Sequence, residues 1–294
     1  MKYLMTVTAW LLLSLCAHAE EKFCLHEDLQ QLDKVVAQKT IYEQAKLKEI
    51  SRCKQGEGNY ITDIDKYTYQ ELLYQEFLKW HPDSAIAHAK ACQKIAFANK
   101  WTALYKKACI QEAYVKVLCG ELLDASMLIQ HIGSIQKLSK ENQTQMGILM
   151  LEFNLRAKIR LFESPLTKSC QDAWNYYSPY IPKNNWRYIY YEALLTRHGN
   201  VNLLLAQLKR CKQPSYEAAA LTVAISQLYY QQKNINAYLH YLIVSAINDI
   251  ECANREASSL VSLINSPYST LCPSQAFRYA MLCTENVKTF KDEV

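Results

Sequence analysis

The sequence predicts an all-α fold, an α-solenoid of stacked helical hairpins that follow a long N-terminal helix. Apolar residues recur at intervals of three and four along most of the chain, as they do on the buried face of an α-helix. The chain has only six glycines, and its prolines fall between the helical segments. The second helices of the predicted hairpins begin about every 34 to 45 residues, a period typical of helical repeats. Such units cannot bury their apolar faces alone, so we expect them to stack.

The N-terminus has the pattern of a secretory signal peptide. Lys2 precedes an apolar stretch over residues 4–16, and Ala17-His18-Ala19 then forms a small-x-small cleavage site. Lipidation of Cys16 would need a small residue before it, but Leu15 stands there. We therefore expect residues 1–19 to be removed by cleavage after Ala19, and the mature chain to be periplasmic or secreted.

The charge distribution does not indicate nucleic acid as a partner, and the apolar runs do not indicate a membrane span. The formal net charge is +5, and loss of Lys2 with the signal peptide leaves +4. Lysines and arginines are not clustered as a nucleic-acid-binding surface requires. No later stretch has the roughly 20 apolar residues of a membrane-spanning helix. We expect no nucleic acid partner and no membrane span after signal removal, and the sequence sets no oligomeric state.

The mature chain divides into a long helix and a repeat region. Residues 20–60 are predicted to form a long amphipathic helix over about 25–54, and Gly56-Glu57-Gly58 then breaks the chain. Residues 61–294 are predicted to form one elongated domain of shorter helices. These are expected at about 63–80, 83–98, 101–118, 121–132, 139–162, 166–177, 185–197, 201–212, 216–231, 235–250, 254–265 and 273–286.

Two units show how the hairpins are expected to pack. Ala113 and Ala125 flank Gly120, so small side chains let the paired helices approach while glycine takes the turn. Around the Lys233-Asn234 turn Ser226 keeps the small residue, but Tyr238 replaces the later alanine. This degenerate pattern resembles tetratricopeptide repeats, and residues 61–294 are predicted to be a tetratricopeptide-like repeat domain.

Short motifs extend the resemblance over nearly all of residues 25–285. In chain order they are Leu32-Asp33-Lys34, Tyr42-Glu43, Trp80-His81-Pro82-Asp83-Ser84-Ala85, Tyr177-Ser178-Pro179-Tyr180 and Ser245-Ala246-Ile247-Asn248-Asp249-Ile250. Each is weak, but their shared order resembles the periplasmic helical-repeat sensor region of Bacteroidota membrane-bound transcription regulators. That resemblance implies a sensory scaffold. Family members continue into a transmembrane helix and a DNA-binding region, whereas this sequence stops at Val294, so only the sensor half is carried over.

The cysteines permit disulfides without establishing them. Eleven are present and Cys16 lies in the signal peptide, which leaves an even ten. Cys92 and Cys109 flank the turn near Asn99 almost symmetrically, so antiparallel helices would bring them side by side. They are the candidate disulfide. For most of the others we favour packing as small apolar side chains.

No motif of an enzyme is present. The sequence lacks a Gly-rich phosphate loop, a Gly-x-Ser-x-Gly elbow and a His-Glu-x-x-His zinc helix. His88 and Cys92 lie one helical turn apart with His81 upstream, but two ligands fall short of the four that structural zinc takes. We expect no catalytic residue, no metal and no cofactor.

The candidate ligand site is an aromatic cluster. The predicted contacts are Trp174, Tyr177, Tyr180, Trp186, Arg187 and Tyr190. Tyrosine and tryptophan offer broad apolar faces with polar tips, which suits a peptide or a sugar in a groove. The alternative is that they fill the interface between repeats. That alternative has the greater weight, since successive helical residues rotate by about 100° and cannot all face one groove.

Two functions remain open from the sequence. The first is an exported binding or sensory scaffold that takes a peptide, glycan or protein ligand on its concave face. The alternative is an autonomous secreted adaptor that assembles envelope protein complexes without catalysis. Solvent-facing aromatics would favour ligand sensing, and a large apolar patch on the outer face would favour assembly.

Overall fold

The computed structural model describes residues 24–56, 61–196, 198–255 and 258–292. These segments contain fifteen α-helices, two short 3-10 turns at Ile135–Lys137 and Ser178–Tyr180, and no strand. The all-α fold of helical hairpins is therefore confirmed. The predicted signal peptide, residues 1–19, lies outside the described residues.

The helices follow the predicted order. They are α1 Leu25–Ala37, α2 Lys39–Gln55, α3 Asp63–Phe77, α4 Pro82–Ala98, α5 Thr102–Cys119, α6 Leu122–Ile132, α7 Lys140–Ile159, α8 Cys170–Tyr177, α9 Trp186–Leu195, α10 Val201–Leu208, α11 Tyr216–Gln231, α12 Ile235–Glu251, α13 Ser258–Ile264, α14 Tyr268–Leu271 and α15 Pro273–Asp292. Several end earlier than predicted. The chain leaves α7 through Leu161, whose φ of +52° lies in the left-handed region.

The long N-terminal helix is two helices, which corrects the prediction of one. The break is at Gln38, where ψ is 3° and the backbone N–H is shared between the carbonyls of Lys34 and Val35. The two halves have different neighbours: α1 packs mainly on α12, and α2 packs on α3 and α12. The break allows each half to follow its own part of the repeat domain.

The hairpins turn where the sequence predicted. Gly120 ends α5 with φ of +78°, a conformation that glycine adopts without steric cost. Lys233 takes the equivalent position between α11 and α12 with φ of +61°, and Asn234 caps α12. Ala113 and Ala125 are fully buried on either side of the first turn. The predicted close pairing of α5 and α6 is therefore confirmed.

Hydrogen bonds connect the first helices of the first four hairpins, α3, α5, α7 and α9. The hydroxyl of Tyr74 donates to the carbonyl of Gln111 at 3.3 Å, from α3 to α5. From α7, a guanidinium N–H of Arg156 donates to the carbonyl of Leu118 on α5 at 2.7 Å. The Tyr191 hydroxyl on α9 donates to Glu152 on α7 at 2.8 Å. The bonded residues are 37, 38 and 39 residues apart, so each bond joins equivalent positions in neighbouring repeats.

The first helices α3, α5, α7, α9 and α11 form the inner layer of the superhelix. The ammonium of Lys79, which follows α3, lies 4.0 Å from the ring centroid of Tyr216 at the start of α11. These two residues belong to hairpins that are four units apart. Only the concave side of a superhelix brings such distant units together.

The N-terminal helix α1 also contacts the last helix, α15. Asp33 on α1 accepts hydrogen bonds from Gln275 and from the hydroxyl of Tyr279 on α15, each at 2.8 Å. A second contact joins the residues that follow α12 to those that follow α3. The guanidinium of Arg255 lies 3.5 Å from the ring centroid of Trp80, and the backbone N–H of Arg255 donates to the Lys79 carbonyl at 3.0 Å. We call the contact between Lys79, Trp80 and Arg255 the closure contact.

The expected disulfide between Cys92 and Cys109 is not formed, and both are free thiols in the structure. The two side chains face different surroundings. The Cys92 thiol donates to the carbonyl of Tyr67, and Cys109 packs in the core formed by α5 to α9. Burial raises the pKa of the Cys92 thiol to about 12, so it stays protonated at neutral pH.

We predict that Ala125→Asp lowers the free energy of unfolding by about 3 kcal/mol or more, because an unpaired carboxylate would be buried in a tight helix contact. Leu123→Asp is the matched control, since Leu123 lies on the same helix and is 64% exposed. Urea denaturation followed by circular dichroism measures both. Equal stability of Ala125→Asp and Leu123→Asp would contradict the pairing of α5 and α6.

Candidate functional site

The predicted ligand contacts separate into two groups. Trp174, Tyr177 and Tyr180 lie on α8 and the 3-10 turn that follows it. Trp174 and Tyr177 are buried in the core between α7, α8 and α9. There the ring centroids of Trp174 and Tyr188 lie 4.9 Å apart. The Tyr180 carbonyl accepts a hydrogen bond from Thr144 on α7 at 2.9 Å. This group packs neighbouring helices together.

The second group is Trp186, Arg187 and Tyr190 in the first turns of α9. Asn185 caps this helix, and its side chain accepts the backbone N–H of Arg187 at 3.0 Å. The Arg187 guanidinium lies over the Trp186 ring, 4.8 Å from its centroid. The Trp186 ring in turn contacts the Tyr190 ring, with their centroids 5.8 Å apart. All three side chains are partly exposed.

The structure adds residues that the sequence reasoning missed. Tyr114 on α5 lies near the Arg187 guanidinium, and the Tyr216 ring on α11 contacts the Trp186 ring, with their centroids 6.2 Å apart. Lys79 reaches the same place over the Tyr216 ring. We define the Arg187 cluster as Lys79, Tyr114, Trp186, Arg187, Tyr190 and Tyr216, with the buried side chains of Tyr74 and Tyr191 behind it.

One sequence signal could have revealed part of this cluster. Tyr74, Tyr114, Glu152 and Tyr191 are 40, 38 and 39 residues apart, so they occupy one register of successive first helices. Three of these four positions hold tyrosine. No such sequence signal marks Lys79 and Tyr216, because it is the curvature of the superhelix that places them beside Arg187.

Arg187 has no negative partner among the described residues. Burial alone would lower its pKa, but the neighbouring Tyr114, Tyr191 and Tyr216 raise the pKa above the usual arginine value, so the guanidinium stays charged. The nearby carboxylate of Glu152 is already engaged. Arg156 donates to it at 2.6 Å and the Tyr191 hydroxyl at 2.8 Å. The positive charge of Arg187 is therefore not compensated by a carboxylate among the described residues.

The cluster adjoins the closure contact through Lys79. The Lys79 side chain lies on Tyr216, whereas its backbone carbonyl accepts the N–H of Arg255. The Arg255 guanidinium also lies 3.8 Å from a carboxylate oxygen of Glu43 on α2. A displacement of Lys79 in the Arg187 cluster can thus be passed to α2 through Arg255.

The histidines and the cysteine considered as metal ligands have structural roles. His81 caps α4 by accepting the backbone N–H of Ser84. His88 stacks on Phe77 at 5.4 Å and hydrogen-bonds Gln70 at 2.7 Å. Over the described segments, no three residues of metal-ligating type come together. The chemistry of the Arg187 cluster is that of binding, since it offers cations, hydroxyls and aromatic faces.

A stack of helical hairpins with a polar cluster on its inner layer defines a tetratricopeptide-type binding scaffold, a class that is typically non-catalytic. The family model for the SusR N-terminal TPR domain matches residues 36–293, and the chain belongs to that family. The predicted resemblance to the helical-repeat region of Bacteroidota regulators is thereby confirmed. No curated protein and no solved structure matches the chain.

None of the helices in the described segments combines the length and the apolar character that crossing a bilayer requires.

We predict that Tyr190 and Tyr191 resist ionisation. Burial raises the pKa values of Tyr190 and Tyr191 well above the usual value of 10.0. Because the folded pKa exceeds the unfolded one, their contribution to stability is complete below pH 10 and is lost as the pH rises above it. Absorbance at 295 nm should show fewer tyrosinates in the native than in the urea-unfolded protein at pH 11. Coincident titration curves would contradict this burial.

Proposed function

We propose that the chain is an exported sensory scaffold, delivered to the periplasm by the signal peptide at residues 1–19, that binds a peptide, glycan or protein on its concave face. The observation that supports this most strongly is the charged Arg187 without a carboxylate partner on the inner layer. A desolvated charge is costly unless it is paired, so an unpaired one on a concave surface indicates a site for a ligand.

In this proposal Trp186, Arg187 and Tyr190 contact the ligand together with Tyr114 and Tyr216. The aromatic rings offer apolar faces, and the hydroxyls and the guanidinium fix the orientation of a polar ligand. Trp174, Tyr177 and Tyr180 act indirectly. They pack α8 against α7 and α9 and so hold α9 in position.

Signal transmission is proposed to use the closure contact. A ligand that displaces the Lys79 side chain from the Tyr216 ring would also shift the Lys79 carbonyl, which accepts the N–H of Arg255. Arg255 connects to α2, and α1 connects through Asp33 to α15. Ligand binding would thus change the curvature of the superhelix and the relation between its ends.

One observation favours the alternative adaptor function. Leu123 and Leu161, which are 64% and 89% exposed, line a shallow depression of about 420 Å³ beside the turn at Gly120. Met127, one turn after Leu123, is also exposed. Apolar side chains grouped on an outer edge are typical of a protein contact. The two functions use different surfaces, so substitutions at each surface separate them.

We predict that Arg187→Ala weakens ligand binding about tenfold or more, which corresponds to roughly 1.4 kcal/mol. The measurement titrates oligosaccharides and short peptides singly and follows tryptophan fluorescence, since Trp186 lies beneath the guanidinium. Loss of the fluorescence change in Trp186→Phe would show that the change comes from Trp186. Arg160→Ala is the control, because Arg160 is an exposed arginine outside the cluster, beside Gly120.

Two outcomes separate the proposed functions. Binding lost in Arg187→Ala and retained in Arg160→Ala supports the sensory scaffold. Binding that is insensitive to Arg187→Ala but lost in Leu123→Ser would contradict it and support the adaptor.

A further inference from the structure

We propose that the Arg187 cluster recognises a carboxylate on its ligand, so that the ligand is an acidic glycan or a peptide with a free C-terminus. This inference rests on the proposed function and narrows it from any peptide, glycan or protein to an anionic one. Both sources present the same group to the same residues.

The Arg187 cluster holds two cationic side chains, those of Lys79 and Arg187, and each lies over an aromatic ring. The neighbouring carboxylate of Glu152 pairs with Arg156 and accepts a hydrogen bond from the Tyr191 hydroxyl. A neutral ligand would exclude water from Arg187 and leave its charge uncompensated, whereas a carboxylate would compensate it.

The Arg187 guanidinium carbon lies 4.8 Å from the centroid of the Trp186 ring. The N–H groups of a guanidinium lie in one plane, so a carboxylate at its edge can accept two of them. Tyr114 and Tyr216 place two further hydroxyl-bearing rings near Arg187 and Trp186, and a hydroxyl can donate a hydrogen bond to an anion. The Tyr216 ring meets the Trp186 ring edge to face, with their centroids 6.2 Å apart.

Arg187 is the second residue of α9, so the positive end of the helix dipole adds to the charge of the guanidinium. The first backbone N–H groups of α9 are already taken by Asn185. The helix end therefore contributes electrostatic potential, and the side chains of the cluster contribute the hydrogen bonds.

The test uses two pairs of probes that differ only in the carboxylate. One pair is trigalacturonic acid and its methyl ester, and the other is tetraalanine and its C-terminal amide. We expect one acid to bind by isothermal titration calorimetry and its neutral counterpart to bind about tenfold to a hundredfold more weakly, the range of a charge-assisted hydrogen-bonded pair. The pair that responds identifies the source of the carboxylate.

Variants connect the effect to Arg187. Arg187→Gln should remove the preference for the acid over its neutral counterpart, and Arg187→Lys should retain part of it because the charge remains without the bidentate geometry. Arg160→Gln is the matched control and should bind as the unsubstituted protein does. Circular dichroism melts establish that each variant is folded, and Arg187→Lys carries the test if Arg187→Gln does not fold.

The outcomes distinguish this inference from the proposed function. A neutral probe that binds as tightly as its acid, and loses binding in Arg187→Gln, overturns the carboxylate and leaves the site in place. Acid binding that Arg187→Gln does not weaken overturns both. Binding of neither acid overturns the carboxylate inference.

Discussion

The structure depends on the hydrogen bonds that connect the first helices α3, α5, α7 and α9. These bonds recur with the period of the repeat, from Tyr74 to Gln111, from Arg156 to Leu118 and from Tyr191 to Glu152. They hold the helices of the inner layer in one register. This register places tyrosines of successive hairpins at equivalent, neighbouring positions. Because the superhelix is curved, those tyrosines converge on Arg187 and bring Lys79 to Tyr216. The closure contact and the Arg187 cluster are thus two consequences of one arrangement.

Much of the fold could be predicted because its determinants are local. Helix positions follow from apolar periodicity, and the turn at Gly120 follows from the left-handed backbone that glycine accepts. The break at Gln38 was missed because no glycine or proline marks it. It depends on the different neighbours of α1 and α2. The expected pairing of Cys92 with Cys109 relied on symmetry about a turn, which does not determine the direction in which each thiol points.

The candidate site could be predicted only in part. Sequence reasoning found Trp186, Arg187 and Tyr190 because they are close in the chain and lie on one helix. It could not separate them from Trp174 and Tyr177, since composition does not distinguish an aromatic side chain in a helix interface from one beside a groove. Lys79 and Tyr216 are far apart in the sequence, and superhelical curvature alone brings them together.

The central claim is that the charge of Arg187 is retained for a ligand and contributes little to the fold. The most direct test is the free energy of unfolding of Arg187→Met without ligand, measured by urea denaturation. Methionine keeps much of the packing on Trp186 and removes a cation that has no carboxylate partner. The account predicts a stability within about 1 kcal/mol of the unsubstituted protein, or higher. A loss of about 3 kcal/mol or more would show that Arg187 is a structural cation and would contradict the account.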